Sequence, residues 1–235
     1  ICDLPRLISY GIQARKSFDR LASFFLMDEF NDTVIRNKPS SEAHVCINIT
    51  NSQFSWTKPE YSDVIDNSNV AFSVDEFNVN HGETVCLVGK FGSGKTTLLR
   101  SLLGEMYLVN NTKSVIEVRG SIAYCPQNPC IIHNTIRENI LFGLEYDAKV
   151  FWEVIELCQL HDDLNSFPYN DKTVVSEGES LSGGQKSRIS LARAIYSRSD
   201  IYLFDDILAS IDLRIGKLIL ENILGENGIL RNKTV

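Results

Sequence analysis

Residues Gly89-Lys90-Phe91-Gly92-Ser93-Gly94-Lys95-Thr96 carry the clearest chemistry in the chain. They fit a spacing of glycine, four residues, then Gly-Lys-Ser/Thr, a pattern that cradles a polyphosphate. Glycine is needed because the backbone must curl tightly and approach oxygen atoms closely. The curled loop aims several N–H groups and a helix N-terminus at one point, where negative charge is stabilised. Lys95 is placed to reach the outer phosphates, and Thr96 to offer a hydroxyl to Mg²⁺. A second constellation is Asp205-Asp206, which follows the apolar run Ile201-Tyr202-Leu203-Phe204. A carboxylate at the carboxyl end of a central strand is well placed to meet a metal ion beside the loop. Asp205 takes that part, and Asp206 faces the side from which water would attack. A third is Leu181-Ser182-Gly183-Gly184-Gln185. Two glycines and a serine at a helix start form either a second anion-binding device or a plain glycine-rich turn.

These residues need particular elements to hold them. Val85-Cys86-Leu87-Val88 reads as a buried strand leading into the loop, and Thr97–Leu103 as the helix leaving it. Strand-like alternation covers Ala43–Trp56 (Val45, Ile47, Ile49, Phe54, Trp56) and Ala71–Val79, with a polar loop over 57–69 between them. Val115–Val118 and Ile122–Cys125 read as further short strands. After Pro126-Gln127-Asn128-Pro129 the character changes. Residues 134–187 look helical, with a start at Asn134-Thr135 and an amphipathic stretch from Val150 to Leu160. A helix follows Ser182 and leads to the apolar run 201–204, whose composition suits a parallel strand covered on both faces. The sum is an α/β core interrupted by a helical insertion. Lys233-Thr234-Val235 reads as the entry to another strand. At the other end, residues 1–30 show an amphipathic helical period, and 31–43 have the composition of a linker.

Composition narrows the classes. The chain has 235 residues, 43% of them hydrophobic, and a net charge of −7. That is enough for a sizeable core, and it offers no basic excess for a nucleic-acid duplex. No apolar run approaches the length of a membrane span, and the N-terminus lacks a signal-peptide layout. Six cysteines are scattered without zinc-ligand spacing, which suggests reduced, buried thiols in a cytosolic compartment. The four histidines are dispersed, and none neighbours a candidate nucleophile. Without an initiator methionine, the chain is expected to be a piece of something longer.

Taken together, Gly89–Thr96, Gln127 after a strand, Leu181–Gln185 and Ile201–Asp205 resemble the ordered motifs of ATP-binding cassette transporters. Ser121–Gln127, Arg137-Glu138-Asn139-Ile140-Leu141-Phe142-Gly143 and Ser190–Ala194 resemble the first nucleotide-binding domain of the C, or multidrug-resistance-associated, subfamily. The resemblance covers about residues 44–235. It implies a P-loop NTPase core of the RecA-like kind, an antiparallel β-subdomain and an inserted α-helical subdomain over about 128–187. Residues 1–43 resemble the cytosolic end of a preceding membrane helix plus linker.

What the resemblance implies can be carried over residue by residue. ATP and Mg²⁺ bind at Gly89–Thr96 and Thr97. Lys95 takes part in catalysis, and Thr96, Gln127 and Asp205 contact the metal. Gln127 also touches the lytic water and reports to the membrane domain. Trp56 matches the aromatic that stacks on adenine, with a core tryptophan as the alternative. Leu181, Ser182, Gly183, Gly184 and Gln185 match the signature that caps ATP held on a partner domain in a head-to-tail pair. Ala209-Ser210-Ile211-Asp212 matches the loop that crosses to that partner, although the family more often has Ser-Ala there. The family's catalytic glutamate is Asp206 here, one methylene shorter, which implies slow hydrolysis. Its switch histidine is expected beyond Thr234 and is not in the chain.

The implied protein is an exporter-like ATPase on the cytosolic face of a membrane, working with its own membrane domains and a second cassette. Three rivals are weighed against it. A DNA-repair cassette needs heptad arms in place of 128–180. A small-molecule kinase lacks the signature. A regulatory ATP sensor of a channel shares this domain and stays open.

Overall fold

A computed structural model describes residues 4–26, 34–37, 44–58, 70–109, 114–175 and 181–235. The chain divides into two compact units, Ile1–Asp32 and Thr33–Val235. The first contains helix α1 (Leu4–Phe25), as the amphipathic period predicts. Most of the expected linker, the heart of the loop expected over 57–69, and Cys2 lie outside the described residues.

The second unit opens with β1 (Ile35–Asn37), β2 (Val45–Ser55) and β3 (Phe72–Asn80). Helix α2 (Lys95–Leu103), β4 (Tyr107–Leu108), β5 (Val115–Arg119) and β6 (Ile122–Cys125) follow. The helical stretch holds α3 (Ile136–Leu141), α4 (Ala148–Leu157), α5 (His161–Ser166) and a 3₁₀ turn at Asn170–Lys172. The chain then makes α6 (Gly183–Tyr196), β7 (Ile201–Phe204) and α7 (Leu213–Leu224).

One sheet has the order β1-β5-β2-β3, with β4 also paired to β2. Its β2–β3 and β2–β5 pairings are antiparallel, and β1–β5 is parallel. A second sheet pairs β6 with β7 in parallel, and Thr234 adds a parallel bridge at Ile201. Strand β7 stands between two cores. Ile201 and Leu203 face a cluster built from β2, β5 and α2, with Ile49, Phe54, Leu98 and Leu102. Tyr202 faces the other, where Phe151, Leu191 and Ile195 pack. Period-two alternation along a strand covered on both sides therefore joins the sheets to the helical subdomain.

Two expectations need correction. Val85–Val88 does not form a buried strand: Cys86 is exposed and Val88 is 91% exposed. A ladder needs partners, and here pairing stops at its first residue, where Val85 N–H donates to Val235 and Val235 N–H to Glu83. Conversely, Ile35–Asn37 forms a strand within the stretch expected to be linker, because β5 offers it a parallel edge. The thiols also divide. Cys46, Cys125 and Cys158 are buried, whereas Cys86 and Cys130 are exposed. Burial pushes the Cys125 thiol up to about 11, and Cys158 higher still.

Candidate functional site

Helix α2 begins without a side-chain cap. Its N-cap is Gly94, in the left-handed region at φ 93°, so no side-chain oxygen competes for the first-turn N–H groups. A β-carbon on Gly94 would lie 2.7 Å from Cδ2 of Phe72, so the loop rests on that ring and tolerates only glycine. Lys95 bends across the loop, and its Nζ donates to the carbonyls of Gly89 (2.9 Å) and Lys90 (3.0 Å). The ammonium is thereby held beside the uncapped helix end, adding positive charge where the helix dipole already supplies it.

The neighbouring strand ends complete the cluster. The Thr96 hydroxyl donates to Oδ1 of Asp205 at 3.0 Å. Oδ2 of the same carboxylate accepts from the Tyr124 hydroxyl at 3.3 Å. Burial and the Asp205 charge push the Tyr124 hydroxyl above its ordinary pKa. Gln127 donates through Nε2 to Oδ2 of Asp206 at 3.2 Å. Asp206 has φ 50°, a left-handed conformation that aspartate accepts more readily than most residues. Lys95, Thr96, Gln127, Asp205 and Asp206 line a cleft of about 870 Å³ together with Trp56, Phe91 and Thr97. Trp56 is 48% exposed, which removes the core-tryptophan alternative.

The donor set fits a hard cation. Thr96 supplies a hydroxyl oxygen, Asp205 a carboxylate and Gln127 an amide oxygen, the oxygen chemistry Mg²⁺ prefers. No group of three or more His, Cys, Asp or Glu among the described residues is placed to hold a metal. An ion here would therefore rely on ligands from a bound phosphate, as Mg²⁺ commonly does.

Residues 181–185 do not line this cleft. Ser182 caps α6 by accepting from Gln185 N–H (3.2 Å), and the Gln185 side chain accepts from Ser182 N–H (2.8 Å), a reciprocal capping box. Leu181 is buried and anchors the turn. Gln185 also donates to Oδ1 of Asp163 at 3.0 Å, while Oδ2 of Asp163 pairs with the buried Arg188. Gly184 sits against the Ser210 carbonyl, which a β-carbon would approach to 2.9 Å. Ser187 and Ser210 hydroxyls lie 2.7 Å apart.

Tyr124, Phe72 and Asp163 were not singled out from sequence. Tyr124 looked like one more strand residue and Phe72 like one more alternating aromatic. Asp163 lies 22 residues from Gln185, with no pattern to link them.

The fold and the cleft define a P-loop nucleotide-binding domain. The ABC transporter family model matches residues 72–209. Bile pigment transporter 1 of Saccharomyces cerevisiae is 38% identical over 260 residues, covering 100% of this chain and 17% of its own length. Metal resistance protein YCF1 of the same organism is 42% identical, covering 98% and 15%. ATP-binding cassette sub-family C member 2 of Mus musculus is 40% identical, covering 98% and 14%. The chain thus spans about a sixth of the length of the curated relatives it matches. It belongs to the ABC transporter family, as a nucleotide-binding domain of the C subfamily. Domains of this family bind ATP, generally with Mg²⁺.

Proposed function

We propose that this chain is the first cytosolic nucleotide-binding domain of a C-subfamily membrane transporter and that it binds Mg–ATP at the start of α2. One contact carries the reading. The Thr96 hydroxyl meets Asp205 across 109 residues of sequence, beside a helix end that has no cap of its own. In this reading Lys95 and the first N–H groups of α2 receive the outer phosphates, and Trp56 stacks on adenine. Thr96, Asp205 and Gln127 hold Mg²⁺, which when bound offsets charge on the transferring phosphoryl group. Gln127 and Asp206, already hydrogen-bonded to each other, orient the attacking water. The Leu181–Gln185 turn caps nucleotide on a second cassette paired head-to-tail. Closure of that pair moves the membrane domains, to which residues 1–43 connect. No helix among the described residues is long and apolar enough to cross a membrane, so the spans would be supplied elsewhere.

Titration calorimetry with Mg–ATP tests the binding reading, and an absence of saturable binding overturns it. Hydrolysis is expected to be slow, because the Asp206 carboxylate falls one methylene short of the family's glutamate. Turnover by the purified chain should stay well below about 1 s⁻¹, the lower end of ordinary enzymes. Asp206→Glu should raise it, and wild-type turnover at or above that rate contradicts the slow-site reading.

A further inference from the structure

We propose that Arg100 is a positioning residue for the nucleotide base, holding Trp56 ready for stacking. This rests on the reading of Trp56 as the adenine platform. Arg100 lies four residues after Thr96 on α2 and so shares its face of the helix. It stands about 6 Å further along the helix axis than Thr96. Its guanidinium carbon is 5.6 Å from the centroid of the Trp56 ring, within cation–π range.

Arg100 also pairs with Glu105 at 3.7 Å, and both side chains are nearly half exposed. Such a pair contributes little and leaves the guanidinium available to the ring. Trp56 follows the last residue of β2 and has an exposed side chain. Left alone, its indole would sample several rotamers, and a base would have to order it on arrival. A guanidinium held on one face restricts the ring in advance and leaves the opposite face for the purine, a preorganisation that favours binding.

The experiment uses the full chain with Trp152→Phe, so that emission reports on Trp56 alone, the chain having two tryptophans. Arg100→Met and Arg100→Lys are compared for binding of Mg–ATP and of Mg–tripolyphosphate, which has the phosphates and no base. Arg100→Met is expected to shift the Trp56 emission and weaken Mg–ATP by about two- to fivefold, the worth of an exposed cation–π contact. Tripolyphosphate affinity should be unchanged, and Arg100→Lys should recover part of the loss. Equal losses for both ligands, or no loss for ATP with unaltered emission, overturn the proposal. Trp56→Ala separates the two layers. If it weakens ATP while Arg100→Met does not, only the role of Arg100 falls. If it leaves ATP binding unchanged, the platform reading falls and the proposal with it.

Discussion

Two glycine-rich turns open long helices in this domain, and they satisfy their N-termini by opposite means. At α2 the N-cap is a left-handed glycine and a lysine leans across the loop carbonyls. At α6 the N-cap is a serine in a reciprocal capping box, and the glutamine of that box is tied again to Asp163. Both turns rest a glycine against a neighbour, Gly94 on the Phe72 ring and Gly184 on the Ser210 carbonyl. Glycine content alone therefore does not make an anion site. The difference lies in whether a side chain of the turn itself already accepts from a first-turn N–H, as Ser182 does at α6 and none does at α2. On this view the first turn of α2 is left open to a ligand, whereas the first turn of α6 is already capped by its own serine.

The sharpest way to break this comparison is Lys95→Ala. Lys95 is half-buried, and its two bonds go only to loop carbonyls. Removing it should weaken Mg–ATP binding by about ten- to a hundredfold, the worth of one or two charge-assisted hydrogen bonds. The unfolding midpoint in denaturant should scarcely move. Calorimetry paired with urea melts checks both, and a large fall in stability with little change in affinity would place Lys95 in the scaffold instead.

Ser182→Ala should do the reverse. It deletes the side-chain oxygen that Gln185 N–H bonds to, at a cost of about 1 kcal/mol for a lost cap. Affinity for Mg–ATP in the cleft around Lys95 should stay within error, because residues 181–185 do not line it. Loss of local affinity equal to that of Lys95→Ala would show that the two turns are not independent.

The part of this contrast that sequence made legible is the part that is local. The loop spacing at 89–96, the serine–glutamine pair at 182 and 185, and the carboxylate after an apolar strand at 205 each fall within a few residues. The long-range parts were hidden. Val85–Val88 has the composition of a buried strand, yet composition cannot say which residues will pair with it. Ile35–Asn37 has the composition of a linker and becomes a strand because Val115–Arg119 offers an edge some eighty residues on. Tyr124 reaches Asp205, and Asp163 reaches Gln185, only once separate elements have packed. Spacing rules describe one element at a time, so a side chain borrowed from another element leaves no trace in them.

The smallest expected effect comes from a site that touches neither turn and so calibrates both. Asp200 precedes β7, the strand whose far end carries Asp205. Its carboxylate accepts from Ser121 N–H (2.9 Å) and hydroxyl (2.8 Å), with Lys233 at 3.7 Å. The Ser121 backbone N–H, then its hydroxyl, then the Lys233 charge hold its pKa below the usual aspartate value. Because the folded pKa is the lower one, the stabilisation is full above the unfolded value of about 4 and is lost as pH falls through the folded value. The side chain is 37% exposed, so solvent screening keeps the contribution under about 1 kcal/mol. Asp200→Asn should therefore lower stability slightly at pH 7, and the gap from wild type should close below about pH 4. Mg–ATP affinity should not change. Urea melts across that pH range decide the matter: a gap that persists in acid assigns the effect to lost packing rather than to the charge, and a fall in affinity would mean that the two ends of β7 are coupled.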